Sequence, residues 1–175
     1  ETHAQMPEAQ EREVIAATVA AIERAAGTRP VGWHTRSASS ASTRRLVVEQ
    51  GGFLYDSDTY DDDLPRIVQV TGQPHVILPY AFDTNDMRFS PGGGFVQAED
   101  FGRYCISAFD WLMREGRTAP KMMSVGLHLR IIGRPARMRG LEMLLEHVAK
   151  TPGVWIARRV DIARHWRAQA GLGPA

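Results

Sequence analysis

Apolar residues return every three or four positions in the first part of the chain, at Ile15, Val19, Ile22 and Ala26, the spacing of one helix face. Pro7 and Glu8 stand at the start of that stretch and Gly27 follows its end, so a helix is predicted from Pro7 to about Ala26. Pro30 to His34 then reads as a short strand. Ser39 or Ser40 can cap a second helix through Thr43, Leu46, Val47 and Gln50, which Gly51 and Gly52 stop. Phe53 to Tyr55 is the next strand, and the polar stretch from Asp56 to Arg66, with Asp61, Asp62, Asp63 and Pro65, is expected to be a long loop. His75 to Leu78, between Pro74 and Pro79, is too short and too β-branched for a helix and reads as a strand.

Past Gly92, Gly93 and Gly94, helical spacing resumes with Phe101, Cys105, Ala108 and Leu112, predicting a helix from Glu99 to Glu115 before Gly116. Met122 to Leu127 is an apolar strand candidate. Leu141, Leu144, Leu145 and Val148 predict a helix from Arg137 to Lys150, which Pro152 and Gly153 break before a strand at Val154 to Ile156. A last helix, Val160 to Ala170, carries Ile162 and Trp166 for docking while Arg158, Arg159, Arg164 and Arg167 are expected to face solvent. Helix and strand alternate throughout, the mark of parallel strands joined by crossover helices in a barrel or an open doubly wound sheet. The expected fold class is therefore α/β.

Composition narrows the partners. The 175 residues suit one domain that needs no disulfide or metal to hold a core, and the one cysteine, Cys105, allows no internal disulfide. With 21 basic and 20 acidic residues the net charge is +1, so no global field favours nucleic acid or an anionic membrane. No stretch is apolar enough to span a bilayer, and no signal-peptide pattern follows Glu1, which together with the lone cysteine leads to the expectation of a soluble protein of a reducing compartment, the cytoplasm. His3, His34, His75, His128, His147 and His165 lack the paired spacing of a zinc helix, and Gly92 to Gly94 lack the lysine and hydroxyl residue of a phosphate loop, so no metal or other cofactor is expected from this chain.

His128 is the residue with the most chemical promise, because it ends an apolar run and the ends of buried strands are where α/β proteins keep their chemistry. A histidine can hand a proton to a departing nitrogen, and an aspartate on its other ring nitrogen would fix its tautomer. Each candidate also has a structural reading. His128 could be a core histidine satisfied by backbone, and Asp83 and Asp86 could be loop caps. Arg29 could complement the dipole of the first helix, and Trp33 could simply be packed. Arg88, beside Phe89, could bind a carboxylate or ureido oxygen with its planar fork, or pair with the Asp61–Asp63 loop.

Three segments taken together, Arg29-Pro30-Val31-Gly32-Trp33, Asp83-Thr84-Asn85-Asp86-Met87 and Leu127-His128, resemble the later motifs of the polysaccharide-deacetylase-like superfamily. The fuller runs Asn85 to Phe89, Pro120 to His128 and Arg158 to Trp166 are most similar to its metal-independent allantoinase branch. The resemblance implies a deformed (β/α) barrel, of which this chain would be the C-terminal part, residues 1–175 forming one domain that is completed by an N-terminal segment carrying the first two motifs. It implies that Arg29 steadies a catalytic carboxylate, that Trp33 lines the pocket, that Asp83 orients the histidine and that His128 is the general acid. Asn85, Asp86 and Arg88 would then contact substrate. Met87 departs from the pattern: deacetylases usually have a tryptophan there that helps form a groove for sugar rings.

The reaction so implied is hydrolysis of a carbon–nitrogen bond in a cyclic amide, allantoin to allantoate, in purine catabolism, by a water that an upstream carboxylate activates. Deacetylation of an amino sugar or hydrolysis of a cyclic imide keeps the fold and changes the pocket. A non-catalytic binding or assembly module is the alternative from another class. A homo-oligomer is expected, since a cut domain must cover the apolar edge left by its missing strands.

Overall fold

The computed structural model describes residues 2–173, which divide into two compact units, one formed by residues 2–79 together with 157–173 and the other by Tyr80–Ile156. The first unit is a mixed α/β body with a mostly parallel sheet. Its helix α1, Glu8–Ala26, ends on Gly27 in the left-handed conformation, φ 69°, which glycine adopts without the Cβ penalty. Ile15 and Val19 are buried, whereas Ile22 and Ala26, expected on the same face, are exposed. The helix therefore docks through the turns up to Val19 and leaves its last turns exposed. Helix α2, Thr43–Gln50, follows a turn in which the Ser40 hydroxyl accepts from the N–H of Ser42 and of Thr43, and it ends at Gly51.

Four strands form the sheet in the order β1-β2-β4-β3: β1 is Gly32–Trp33, β2 Tyr55–Asp56, β3 Arg66–Val70 and β4 Gln73–Ile77. The pairs β1–β2 and β2–β4 are parallel, in register Gly32 with Tyr55 and Tyr55 with Val76. β3 joins the edge antiparallel to β4 through Thr71 and Gly72, both at positive φ, the two-residue loop whose twist suits a hairpin. The hydrophobic pattern does not predict this edge strand. Ile15, Trp33, Leu46 and Val47 make one buried cluster with Phe53 against it, and Val76, Ile77 and Leu78 are wholly buried. Helix α6, Arg159–Gln169, closes this unit, but not with all its arginines in solvent. Arg159 donates to Ser57 Oγ at 2.8 Å and to the carbonyls of Leu78 and Pro79, and Arg167 reaches the Pro74 carbonyl.

The second unit is mainly helical. Helix α3, Ala98–Glu115, opens with a capping box in which Gln97 and Asp100 satisfy each other's backbone N–H groups. It packs on α5, Pro135–Lys150, through Gly102 and Gly140: a Cβ on Gly140 would stand 2.2 Å from the Ala98 carbonyl oxygen, so glycine is what permits the close crossing. Phe95, Phe101, Cys105, Ile132 and Leu144 form the core between them. Burial raises the Cys105 thiol to about 12, with the Asp83 charge adding to the rise, so it is an inert core residue. Met122 to Leu127, expected as a strand, is irregular chain with one parallel bridge, Asn85 to Gly126. Val154 to Ile156 is not a strand either, and Trp155 and Ile156 are exposed. Among the described residues no helix is long and apolar enough to cross a membrane.

Candidate functional site

The single bridge of the second unit is what assembles its polar centre. The Gly126 N–H donates to the Thr84 carbonyl at 2.9 Å, the Asp86 N–H donates to the Gly126 carbonyl at 2.9 Å, and the Thr84 hydroxyl holds the Ser124 carbonyl at 2.6 Å. Gly126 is required by this close approach, because a Cβ there would sit 2.1 Å from Asn85 Nδ2. Asn85 caps the short 3-10 turn Asp86–Phe89: its Oδ1 accepts from the Met87 N–H at 2.9 Å while its Nδ2 faces Tyr80 and Ala81. That turn directs the Asp86 side chain inward and leaves the preceding Asp83 outside.

Asp86 is completely buried and grips the start of the following segment with both oxygens. Oδ1 lies 2.6 Å from His128 Nδ1, and Oδ2 accepts the backbone N–H of His128 at 2.7 Å and of Ile132 at 3.1 Å. His128 is the N-cap of the one-turn helix α4, Leu129–Ile132, and the Ile132 N–H at its last residue is shared between Asp86 and the His128 carbonyl at 3.0 Å. Three donors therefore compensate the desolvation of this carboxylate. The His128 side chain keeps 27% of its surface exposed. Nδ1 faces the aspartate, so Nε2 is the ring atom left for a ligand, the arrangement of a histidine held in one orientation for proton transfer.

This corrects the expected pairing. Asp83 does not hold His128; it is exposed, and its carboxylate lies 3.4 Å from the Tyr104 hydroxyl. The physical reason is the Asn85-capped turn, which places the third residue after Asp83, not Asp83 itself, beneath the bridge to Gly126. Asp86, expected to touch substrate, occupies the positioning role instead. Arg88 is likewise committed: it donates from Nε to the Gly93 carbonyl at 2.9 Å and from Nη1 to the Asp83 carbonyl, and it stacks over the rings of Phe95 and Tyr104 at 4.3 and 4.4 Å. It lines an open cavity of about 550 Å³ with Phe95, Arg103, Tyr104 and Ser107. The aspartate loop pairs elsewhere, Asp61 with Arg66.

Arg29 and Trp33 lie in the first unit. Arg29 donates to the carbonyls of Gln50 and Gly51, at 3.4 and 2.7 Å, and so closes the C-terminal end of α2 rather than that of α1. Trp33 is buried, edge-on to His3 and Phe53, with its indole N–H on Thr35 Oγ1 at 2.8 Å. The feature that sequence reasoning missed in this unit is a closed polar cluster. Asp56 receives Arg44 Nε at 2.7 Å and Nη2 at 3.1 Å, and lies 3.0 Å from His75 Nε2. Burial alone would raise the Asp56 carboxyl, but hydrogen bonds from His75 and Arg44 together with the Arg44 charge outweigh it and hold it at about 2. Glu11 is a second case. Burial acts to raise it, yet contacts with Ser40, Thr43 and His3 hold it below the ordinary carboxylate range. The alternation of hydrophobic residues contains no signal for either.

Among the described residues, no three His, Cys, Asp or Glu side chains converge as metal ligands. No family model matches the chain. A polysaccharide deacetylase assigned in Schizosaccharomyces pombe is 40% identical over 181 residues, covering 94% of this chain and 56% of that protein. A peptidoglycan deacetylase of Helicobacter pylori is 25% identical over 180 residues, covering 84% and 60%. Among solved structures, that of PuuE allantoinase matches with TM-score 0.91 at 50% identity over 96% of this chain and 56% of that one. An assigned polysaccharide deacetylase of Pseudomonas aeruginosa gives TM-score 0.91 and 50% identity over 97% and 57%. The chain belongs to the polysaccharide deacetylase-like superfamily and has an allantoinase-type relative. It spans about half the length of the relatives it matches.

Proposed function

We propose that this chain supplies the proton-donating half of an amide-hydrolase site that opens allantoin to allantoate. The observation that carries the reading is the partly exposed His128 fixed by a wholly buried Asp86. Hydrolysis of a cyclic amide needs a water nucleophile at the carbonyl and a proton for the departing nitrogen. His128 Nε2 delivers that proton, and Asp86 holds the ring in orientation through Nδ1 and anchors the backbone beneath it. The carboxylate that activates water belongs, by resemblance, to the family's earlier motifs, on a deformed barrel of which residues 1–175 are the C-terminal part. On this reading the protein is a cytoplasmic homo-oligomer with a small-molecule substrate.

Deacetylation of an amino sugar is the second reading, supported by the deacetylases of S. pombe and H. pylori among the relatives. Met87 favours the first. It is 48% exposed where deacetylases usually present a tryptophan, and a thioether chain gives a sugar ring no flat face to stack on. The test is to supply the complete polypeptide carrying this stretch with allantoin and, separately, with an N-acetylated amino-sugar oligomer. Formation of allantoate with no release of acetate is the expected result, and release of acetate alone would replace the first reading with the second.

A further inference from the structure

Asp86 holds the ring and the N–H of His128, and the far end of the same short segment is held by a different side chain. Helix α4 is a single turn: the N–H groups of Ile131 and Ile132 donate to the His128 carbonyl at 2.7 and 3.0 Å, and Gly133 ends it. In a longer helix the Ile131 carbonyl would accept the N–H of residue 135, but Pro135 has none. The Arg134 N–H reaches that carbonyl only at 3.4 Å. Arg137, in the first turn of α5, supplies a further donor from Nη1 at 3.3 Å, the way a basic side chain satisfies the last carbonyls of a helix.

The same guanidinium lies over the Phe89 ring, with its central carbon 4.8 Å from the centroid. Phe89 is the last residue of the 3-10 turn that Asp86 begins, and its ring is anchored against Phe95 and Phe101 at centroid separations of 5.6 and 6.1 Å. One planar cation therefore touches both segments that make up the imidazole–carboxylate pair, the end of the Asp86 turn and the end of α4. The helix it reaches from is itself fixed, through the close crossing of α5 on α3 at Gly102 and Gly140. Arg137 is half-buried, whereas Arg134, Ala136, Met138 and Arg139 around it are exposed. Arg139 spends its charge on Glu142 at 2.7 Å, while the printed contacts of Arg137 are a carbonyl and a ring.

We infer that Arg137 is a positioning residue for His128: by joining the Phe89 ring to the Ile131 carbonyl it keeps the turn that carries Asp86 and the turn that carries the proton donor in one fixed relation. The inference rests on the amide-hydrolase reading and deepens it. No bond is made or broken at Arg137, and its role needs no contact with substrate. Loss of the brace lets the imidazole leave the orientation in which it meets the departing nitrogen, which appears in kcat more than in KM.

The experiment has two arms on the complete polypeptide. In the first, Arg137→Met, which keeps an unbranched stem over Phe89 and loses the donor, is expected to lower kcat about tenfold with KM within about threefold. Arg137→Lys, a point charge without the planar fork, should recover part of the loss and remain about threefold or more below the wild type. Arg139→Met, one turn position away on the surface, should leave kcat within about twofold. In the second arm, the proton between His128 Nδ1 and Asp86 is followed by NMR. Its resonance is expected to broaden or vanish in Arg137→Met through faster exchange with water and to persist in Arg139→Met. A kcat within about twofold of the wild type in Arg137→Met, with an unaltered resonance, would overturn the positioning role. If neither allantoin nor an N-acetylated amino sugar is turned over by the wild type, the hydrolase reading falls, and the resonance alone still decides whether Arg137 holds the ring. If Arg137→Met does not fold, Arg137→Lys is judged in its place, and wild-type kcat with an unaltered resonance in that variant overturns the role.

Discussion

Two histidine–aspartate pairs in this chain look alike in sequence and differ in what surrounds them. His75 and Asp56 are 2% and 1% exposed, and Arg44 closes the pair with two further hydrogen bonds. His128 and Asp86 combine an aspartate at 0% with a ring at 27%, and the aspartate's other partners are the backbone amides of His128 and Ile132 at the two ends of α4. The first arrangement neutralises its charges internally and offers nothing to a ligand. The second spends the carboxylate on orientation and keeps one edge of the ring available. Openness of the imidazole, not the presence of the pair, separates chemistry from scaffolding, because both carboxylates are paid for by donors and only one histidine can meet a substrate.

The comparison is broken most forcefully by removing its closed member. Asp56→Ala strands the Arg44 charge and His75 beside a buried gap and should destabilise the fold by about 3 to 5 kcal/mol, read from urea or thermal unfolding. A loss under 1 kcal/mol would mean that the cluster is not structural. His128→Ala should do the opposite: stability within about 1 kcal/mol of the wild type, but turnover by the complete polypeptide lowered about a hundredfold, equivalent to about 2.7 kcal/mol in the transition state. A stability loss larger than the activity loss would move His128 to the scaffold side.

Acid sharpens the same contrast. Asp56 has its carboxyl depressed from 3.8 to about 2, so the stability it contributes is present above the unfolded value and is lost as pH falls from about 4 to 2. At 1.36 kcal/mol per unit the loss is about 2 kcal/mol, and Asp56→Asn should remove this part of the acid transition. An acid unfolding curve unchanged by Asp56→Asn would assign the transition to other carboxylates, Glu11 foremost.

Much of the architecture is legible in the sequence because helix faces repeat. Helices α1, α2, α3, α5 and α6 begin and end within a few residues of the positions that Gly27, Gly51, Gly116 and the spacing of Phe101, Cys105, Leu144 and Val148 indicate. The parallel strands β1, β2 and β4 also fall near Pro30 to His34, Phe53 to Tyr55 and His75 to Leu78. Strand β3 does not show, because Thr71-Gly72 is a weaker hairpin signal than Asn-Gly or Asp-Gly. Met122 to Leu127 is apolar enough for a strand, yet pairing reaches only Gly126, since a run of hydrophobic residues states burial and not partners. The site follows the same logic. His128 is found from its place after an apolar run, whereas the choice between Asp83 and Asp86 depends on a turn capped by Asn85, three residues of geometry that periodicity does not encode. The commitments of Arg29 to carbonyls and of Arg88 to two rings are invisible for the same reason: an arginine's reach exceeds the range of any local pattern.

The central claim is that Asp86, and not Asp83, positions the proton donor, and the most direct measurement is the turnover number of Asp86→Asn beside that of Asp83→Asn in the complete polypeptide with the substrate it hydrolyses. The Asp86 substitution places an amide N–H against donors whose hydrogen bonds the carboxylate accepted and should lower kcat about tenfold or more, while Asp83→Asn, whose exposed carboxylate accepts from the Tyr104 hydroxyl, should stay within about twofold. Equal losses in the two variants, or a larger loss in Asp83→Asn, would contradict it.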